Sequence, residues 1–122
     1  MLLATDVYAG ALIRRAQLAG AFAAVTRKGD PRAGALMVKT LNQGVGVREP
    51  GAARLYIEAT GPEGDRLWIE PLPGAEEAEL DAYVARQAGY DPDLWVVEIE
   101  DREGRHFLTE PVAPARSTVA KS

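Results

Sequence analysis

The run Asp91-Pro92-Asp93-Leu94-Trp95-Val96-Val97-Glu98-Ile99-Glu100-Asp101 constrains the fold more than any other stretch. Pro92 pushes Asp91 out of the helical region, so any helix before it must end there. Asp93 is suited to a local turn through its short carboxylate. Beyond it, Trp95, Val97 and Ile99 fall on one face of a strand, and Leu94, Val96, Glu98 and Glu100 on the other. The first face is wholly apolar. The second begins apolar and ends charged, the pattern of a central strand that leaves the core as it proceeds. Asp101-Arg102-Glu103-Gly104 is a polar turn with a late glycine, which predicts a hairpin with Arg105 to Leu108 as the return strand.

The same reading extends to the rest of the chain. Asp6, with Thr5 as competitor, is a good N-cap for a first helix. Its apolar face runs through Ala9, Leu12, Ile13 and Ala16, and Gly20 is its natural stop. Ala21 to Lys28 and Ala35 to Leu41 read as strands. The turn cluster Gly29-Asp30-Pro31-Arg32-Ala33-Gly34 between them predicts that they pair as a hairpin. Asn42 to Ala52 is the longest loop. Its Gly44-Val45-Gly46 lacks the third glycine and the following helix of a nucleotide fingerprint, so no cofactor is expected. Arg54 to Thr60 and Arg66 to Glu70 alternate cleanly and form a second hairpin. Ala75 to Ala88 is a second helix with Glu76, Glu77 and Glu79 loading its first turn, where the helix dipole favours anions. Leu80, Tyr83, Val84 and Ala88 form its apolar face, and Gly89 is expected to stop it.

This order predicts an α+β domain of two layers: a mainly antiparallel sheet of five to six strands with two helices on one face. With 122 residues, residues 1–112 form a single domain and 113–122 a flexible tail. No apolar run approaches the roughly 18 residues of a membrane-spanning helix. The chain has no cysteine, which excludes disulfides, thiol catalysis and zinc–thiolate sites, and suits a reducing cytoplasm.

The motifs described above also carry a resemblance. Asp91 to Asp101, Gly104-Arg105-His106-Phe107-Leu108, Ala82-Tyr83-Val84-Ala85-Arg86-Gln87 and Arg27-Lys28-Gly29-Asp30-Pro31 resemble the bacterial family catalogued as domain of unknown function 1491. The likeness runs over most of residues 5–112. It implies a small single-domain bacterial protein and brings with it no catalytic residue.

Three functional classes follow from the residues. First, the sheet face away from the helices is expected to carry Arg54, Tyr56, Arg66 and Trp68, with Glu58 and Glu98. An open aromatic and charged face is a candidate binding surface. Trp68 is the better ligand contact there, and Trp95 belongs in the core. Second, Glu98 and Glu100 share a strand face, and His106 returns across the predicted hairpin. Carboxylates with an imidazole are the donor set of a metal that activates water. Against this, a hairpin end flanked by Asp101 and Glu103 is wet, and no lysine of the nuclease type lies near in sequence. Third, Arg14, Arg15, Arg27, Lys28 and Arg32 are a candidate phosphate-binding patch. A sequence pI near 5.0 argues against nucleic acid.

Charge is uneven. Residues 1–60 hold eight Lys/Arg against four Asp/Glu (+4), whereas residues 61–122 hold six against fourteen (−8). Such asymmetry fits solvated halves that pack together, or a protein partner or self-association. The class favoured by the sequence is a small non-catalytic cytoplasmic binding or adaptor module. A metal-dependent hydrolase and a nucleic-acid accessory protein are the alternatives.

Overall fold

In the computed structural model, which describes residues 4–46 and 48–113, the chain orders itself around the predicted central strand. The elements are α1 (Thr5–Leu18), β1 (Phe22–Arg27), β2 (Leu36–Asn42), β3 (Ala53–Thr60), β4 (Arg66–Ile69), α2 (Glu77–Tyr90), β5 (Trp95–Asp101) and β6 (Val112–Ala113). They form one six-stranded sheet in the order β1-β5-β2-β3-β4-β6. β1 and β5, β2 and β3, and β3 and β4 pair antiparallel. β2 with β5 and β4 with β6 pair parallel. The fold is α+β with a mostly antiparallel sheet, as the strand spacing predicts.

Three expectations are corrected. β1 and β2 do not form a hairpin, because β5 inserts between them. The segment 105–108 is not a return strand; Phe107 has φ 61°, a left-handed conformation that breaks an extended run. Finally, the helices lie on opposite faces of the sheet. Tyr8, Ala9, Leu12 and Ala16 of α1 pack with Leu36, Val38, Tyr56, Trp95, Val97 and Ile99. Leu80 of α2, with Tyr83, Val84 and Ala88, packs against Met37, Leu55, Leu94 and Val96. Successive strand residues point to opposite faces, so β2 and β5 are apolar on both sides because both sides are covered. What read as a strand leaving the core is a strand covered on its second face only at its start.

The helix ends differ from expectation too. α1 starts at Thr5 without a side-chain cap. Its first amides are satisfied by the 29–34 loop instead: Thr5 N–H donates to Arg32 O and Asp6 N–H to Pro31 O at 2.9 Å. The Thr5 hydroxyl donates to Gly34 O at 2.6 Å. α2 runs through Gly89 to Tyr90 and stops at Asp91-Pro92, where the proline forbids continuation.

The most distinctive residues of the sequence meet here. Trp95 is buried, and its indole N–H donates to Asp30 O at 2.6 Å. Asp30 N–H donates to Asp93 O, and Trp95 N–H to Ala35 O. Asp30 Oδ2 accepts the amides of Arg32 and Ala33. A Cβ at Gly29 or Gly34 would collide with the Asp93 carbonyl, so glycine is needed for this close approach. The 29–34 loop thus ties the start of α1 to the start of β5. Of the expected tail, Ala113 closes β6, and residues 114–122 lie outside the described residues.

Candidate functional site

The predicted open aromatic face is the floor beneath α1. Trp68 is fully buried, and its indole N–H donates to Glu110 at 3.0 Å. Glu110 also accepts the Tyr8 hydroxyl at 2.5 Å. Arg66 lies over the Tyr8 ring, 4.0 Å from its centroid, with its Nε 2.8 Å from Glu58. Burial and then Glu110 push the Tyr8 phenol up to about 12. Burial alone pushes Glu110 up, but the Tyr8 and Trp68 donors outweigh it and hold the carboxyl below its usual range. Arg66 and Trp68 are therefore parts of an internal polar network. Trp68 is not a surface contact, because α1 covers the face that the sequence left open.

Arg54 and Tyr56 share that face nearer its end, and the structure brings His106 to them. The three line an open hollow of about 570 Å³ with Glu70, Gly51 and Asn42 among its walls. Arg54 pairs with Glu70 at 3.2 Å. The His106 ring stands edge-on to Tyr56 with centroids 5.1 Å apart. Its Nδ1 accepts the Leu108 N–H at 2.9 Å, which places the proton of the neutral ring on Nε2. Burial, then Arg54, lowers the His106 pKa; burial raises that of Tyr56. The neutral imidazole is thus favoured by burial and Arg54, with its Nδ1 already occupied by the Leu108 amide. It can donate a hydrogen bond, but accepting a proton would break its own turn.

That turn also explains why 105–108 failed as a strand. Arg15 Nε and Nη2 both donate to Phe107 O, at 3.0 and 2.7 Å, and hold the left-handed Phe107 in place. Asp101 supports the same segment. Its carboxylate receives two bonds from the Arg105 guanidinium, at 2.9 and 2.8 Å, and the amides of Glu103 and Arg105. The Arg105 guanidinium, opposed by burial and helped by these amides, holds Asp101 well below the usual carboxylate range.

The predicted metal donors are not brought together. Glu98 and Glu100 lie on the α2 side of β5, and His106 lies against Tyr56 on the α1 side. Glu100 accepts Gln43 Nε2 at 3.2 Å. Among the described residues, no group of three His, Cys, Asp or Glu side chains is placed to hold a metal ion. The lysine that the sequence did not place near Glu98 is Lys39, its partner across the parallel β2–β5 ladder. Lys39 Nζ is 2.7 Å from Glu77, 2.6 Å from Asp81 and 3.5 Å from Glu98. Burial lowers its pKa, but Asp81 and Glu77 outweigh that and raise it overall. Carboxylates do converge on the α2 side, on a cation that the chain supplies itself.

The five basic residues do not form one patch. Arg15 is held at Phe107 O, and Arg27 Nη2 donates to Pro92 O at 3.3 Å. Arg32 sits beside the start of α1, and Arg14 lies about 14 Å of helix rise beyond Thr5.

The feature that sequence reasoning missed is the edge of the sheet. β6, at one edge, has two residues; β1, at the other, has six. Among the described residues no strand lies beyond β1, and Phe22 and Val25 on it are 61% and 39% exposed. The signal was the absence of proline and charge from Ala21 to Val25, residues by which exposed edges are ordinarily blunted.

The chain matches the family model described as "Protein of unknown function (DUF1491)" over residues 3–109. It resembles the crystal structure of a DUF1491 family protein from Caulobacter crescentus, with 57% identity and a TM-score of 0.83, over 92% of this chain and 100% of that one. An NMR structure of a DUF1491 protein from the same organism gives 57% identity and a TM-score of 0.82, over 93% and 99%. A solution structure of an A. tumefaciens protein gives 34% identity and 0.75, over 93% and 98%. No curated protein matches the chain. With nearly its whole described length matched in both sequence and fold, the chain belongs to the DUF1491 family.

Proposed function

We propose that this protein is a small, non-catalytic binding module that engages a protein partner by strand addition at β1. The observation that carries the reading is the open first half of the edge, ahead of the register shift between Val25 and Arg27: an apolar run, Ala21 to Val25, with Phe22 and Val25 exposed and no neighbouring strand among the described residues. An edge of this kind offers a row of backbone donors and acceptors to an incoming chain, and its exposed side chains add apolar contact. The hollow at Arg54 supports binding over catalysis, since its imidazole has one nitrogen occupied and Arg54 is already paired with Glu70. Among the described residues no helix is long and apolar enough to cross a membrane. Together with the lack of cysteine, that agrees with a cytoplasmic setting.

The test is a photo-crosslinking residue placed at Phe22 in living cells, with another at Arg54 as the comparison site. The expected result is a discrete crosslinked polypeptide at position 22 that disappears when Val25→Lys is added. Crosslinking at Arg54 alone, or at neither site, would refute the edge as the binding surface.

A further inference from the structure

We propose that the partner seated on the β1 edge is an extended segment that alternates basic and apolar residues, with its lysines or arginines on the α2 side of the sheet; this rests on the binding reading above. An added strand continues the sheet, so its residues alternate between the two faces in step with those of β1. Phe22 and Ala24 share the α2 side with their ladder partners Glu100 and Glu98, and Ala23 shares the α1 side with Ile99. Each face of the edge therefore selects a different residue type.

On the α2 side the open stretch is backed by carboxylates. Ala24, Glu98 and Lys39 stand in one row across β1, β5 and β2. Lys39 is held more closely by Glu77 and Asp81, at 2.7 and 2.6 Å, than by Glu98 at 3.5 Å. Glu98 is thus the carboxylate that Lys39 engages least closely, and it lies on the strand next to β1. Three carboxylates around one ammonium also leave net negative charge. A residue added opposite Ala24 has its Cα roughly 10 Å from that of Glu98, two strand spacings away. The methyl group of Ala24 is no obstacle between them, so a long basic stem can lie over it and bring its charge to Glu98. In the next row on this face, Glu100 adds another carboxylate beside Phe22, whose exposed ring offers its face to a cation. An acidic side chain at either place meets like charge. On the α1 side, Ala21 and Ala23 pack with the core under α1 and Val25 is exposed, so apolar residues are favoured opposite them. Arg27 and Lys28 lie past the register shift that follows Val25, outside this ladder, and the Arg27 guanidinium is turned to the Pro92 carbonyl.

Amide chemical shifts of the full chain, titrated with a blocked peptide that alternates valine and lysine and with its twin carrying glutamate for lysine, test the proposal. The expected result is that the amides of residues 22–25 shift with the lysine peptide and not with the glutamate one, and that added salt weakens the binding. Glu98→Gln and Glu100→Gln should each weaken it about two- to fivefold, the share of a partly exposed ion pair, with circular dichroism melts as the folding control. Equal shifts from both peptides, no shift on β1 from either, or an affinity indifferent to salt and to both variants would overturn the basic partner. The crosslink at position 22 decides the reading beneath it separately. A crosslink there alongside any of those three outcomes sinks the basic partner and leaves strand addition standing. Neither crosslink nor shift sinks both.

Discussion

Asp91 to Trp95 and Ala21 to Val25 weigh oppositely in the sequence and in the molecule. The first stretch is the most distinctive in the chain, and its polar groups are bonded within the chain: Trp95 to Asp30, the Asp93 carbonyl to the Asp30 amide, the Asp93 amide to Asp91. The second is nearly featureless and carries two of the exposed large apolar side chains of the described residues. Specific side chains are required where a loop must satisfy buried backbone groups, because each unmet group is costly. A surface that binds through backbone needs only the absence of obstacles. Distinctiveness in this chain therefore marks architecture, and blandness marks the edge at which we propose that another chain adds.

The contrast is most easily broken at Trp95. Trp95→Ala should cost about 3–5 kcal/mol in denaturant melts, the range for large buried aromatics, since it removes both the packing and the bond to Asp30. A cost under about 1 kcal/mol would contradict the inward assignment. Gly29→Ala should cost about 1–3 kcal/mol by driving a methyl into the Asp93 carbonyl; a neutral result would mean the loop and β5 are not in close contact.

A pH series sharpens the comparison within β5. The folded pKa of Asp101 is depressed, so its contribution is fully present above its unfolded value of about 3.9 and is lost as pH falls through the folded value. Melts should therefore lose stability below about pH 4 in the wild type and show less of that loss in Asp101→Asn. Because Arg105 is partly exposed, solvent screens the pair and the effect should be smaller than at Trp95. Identical acid profiles would remove Asp101 from the turn. Val25→Lys, at the bland stretch, should move stability by about 0.5 kcal/mol or less. A loss comparable to Trp95→Ala would show that the edge is part of the core.

The elements themselves were legible because each carries its own periodicity. The helix at 77–90 and the strand at 95–101 appear where the alternation puts them, within a few residues at the ends. Their placement was not legible. β5 pairs with β1 and β2 across more than fifty residues of chain, and nothing local states that it inserts between them. Leu94 and Val96 did signal a second buried face, but the charges at Glu98 and Glu100 made one covered side appear sufficient. The hollow was half legible. Arg54 and Tyr56 share a strand face by simple alternation, whereas His106 reaches them only because Phe107 turns left-handed under Arg15, a conformation that phenylalanine rarely takes and no sequence pattern here announces.

Amide hydrogen exchange on β1 tests the central claim most directly. In an edge strand, alternate amides point away from the neighbouring strand. In the intact wild-type chain, the outward amides between Phe22 and Val25 should exchange quickly in dilute buffer and become protected in cell extract, where a partner can add to the edge. The inward ones should stay protected throughout. Outward amides that exchange at the same rate in buffer and in cell extract, or that are protected even in dilute buffer, would contradict it.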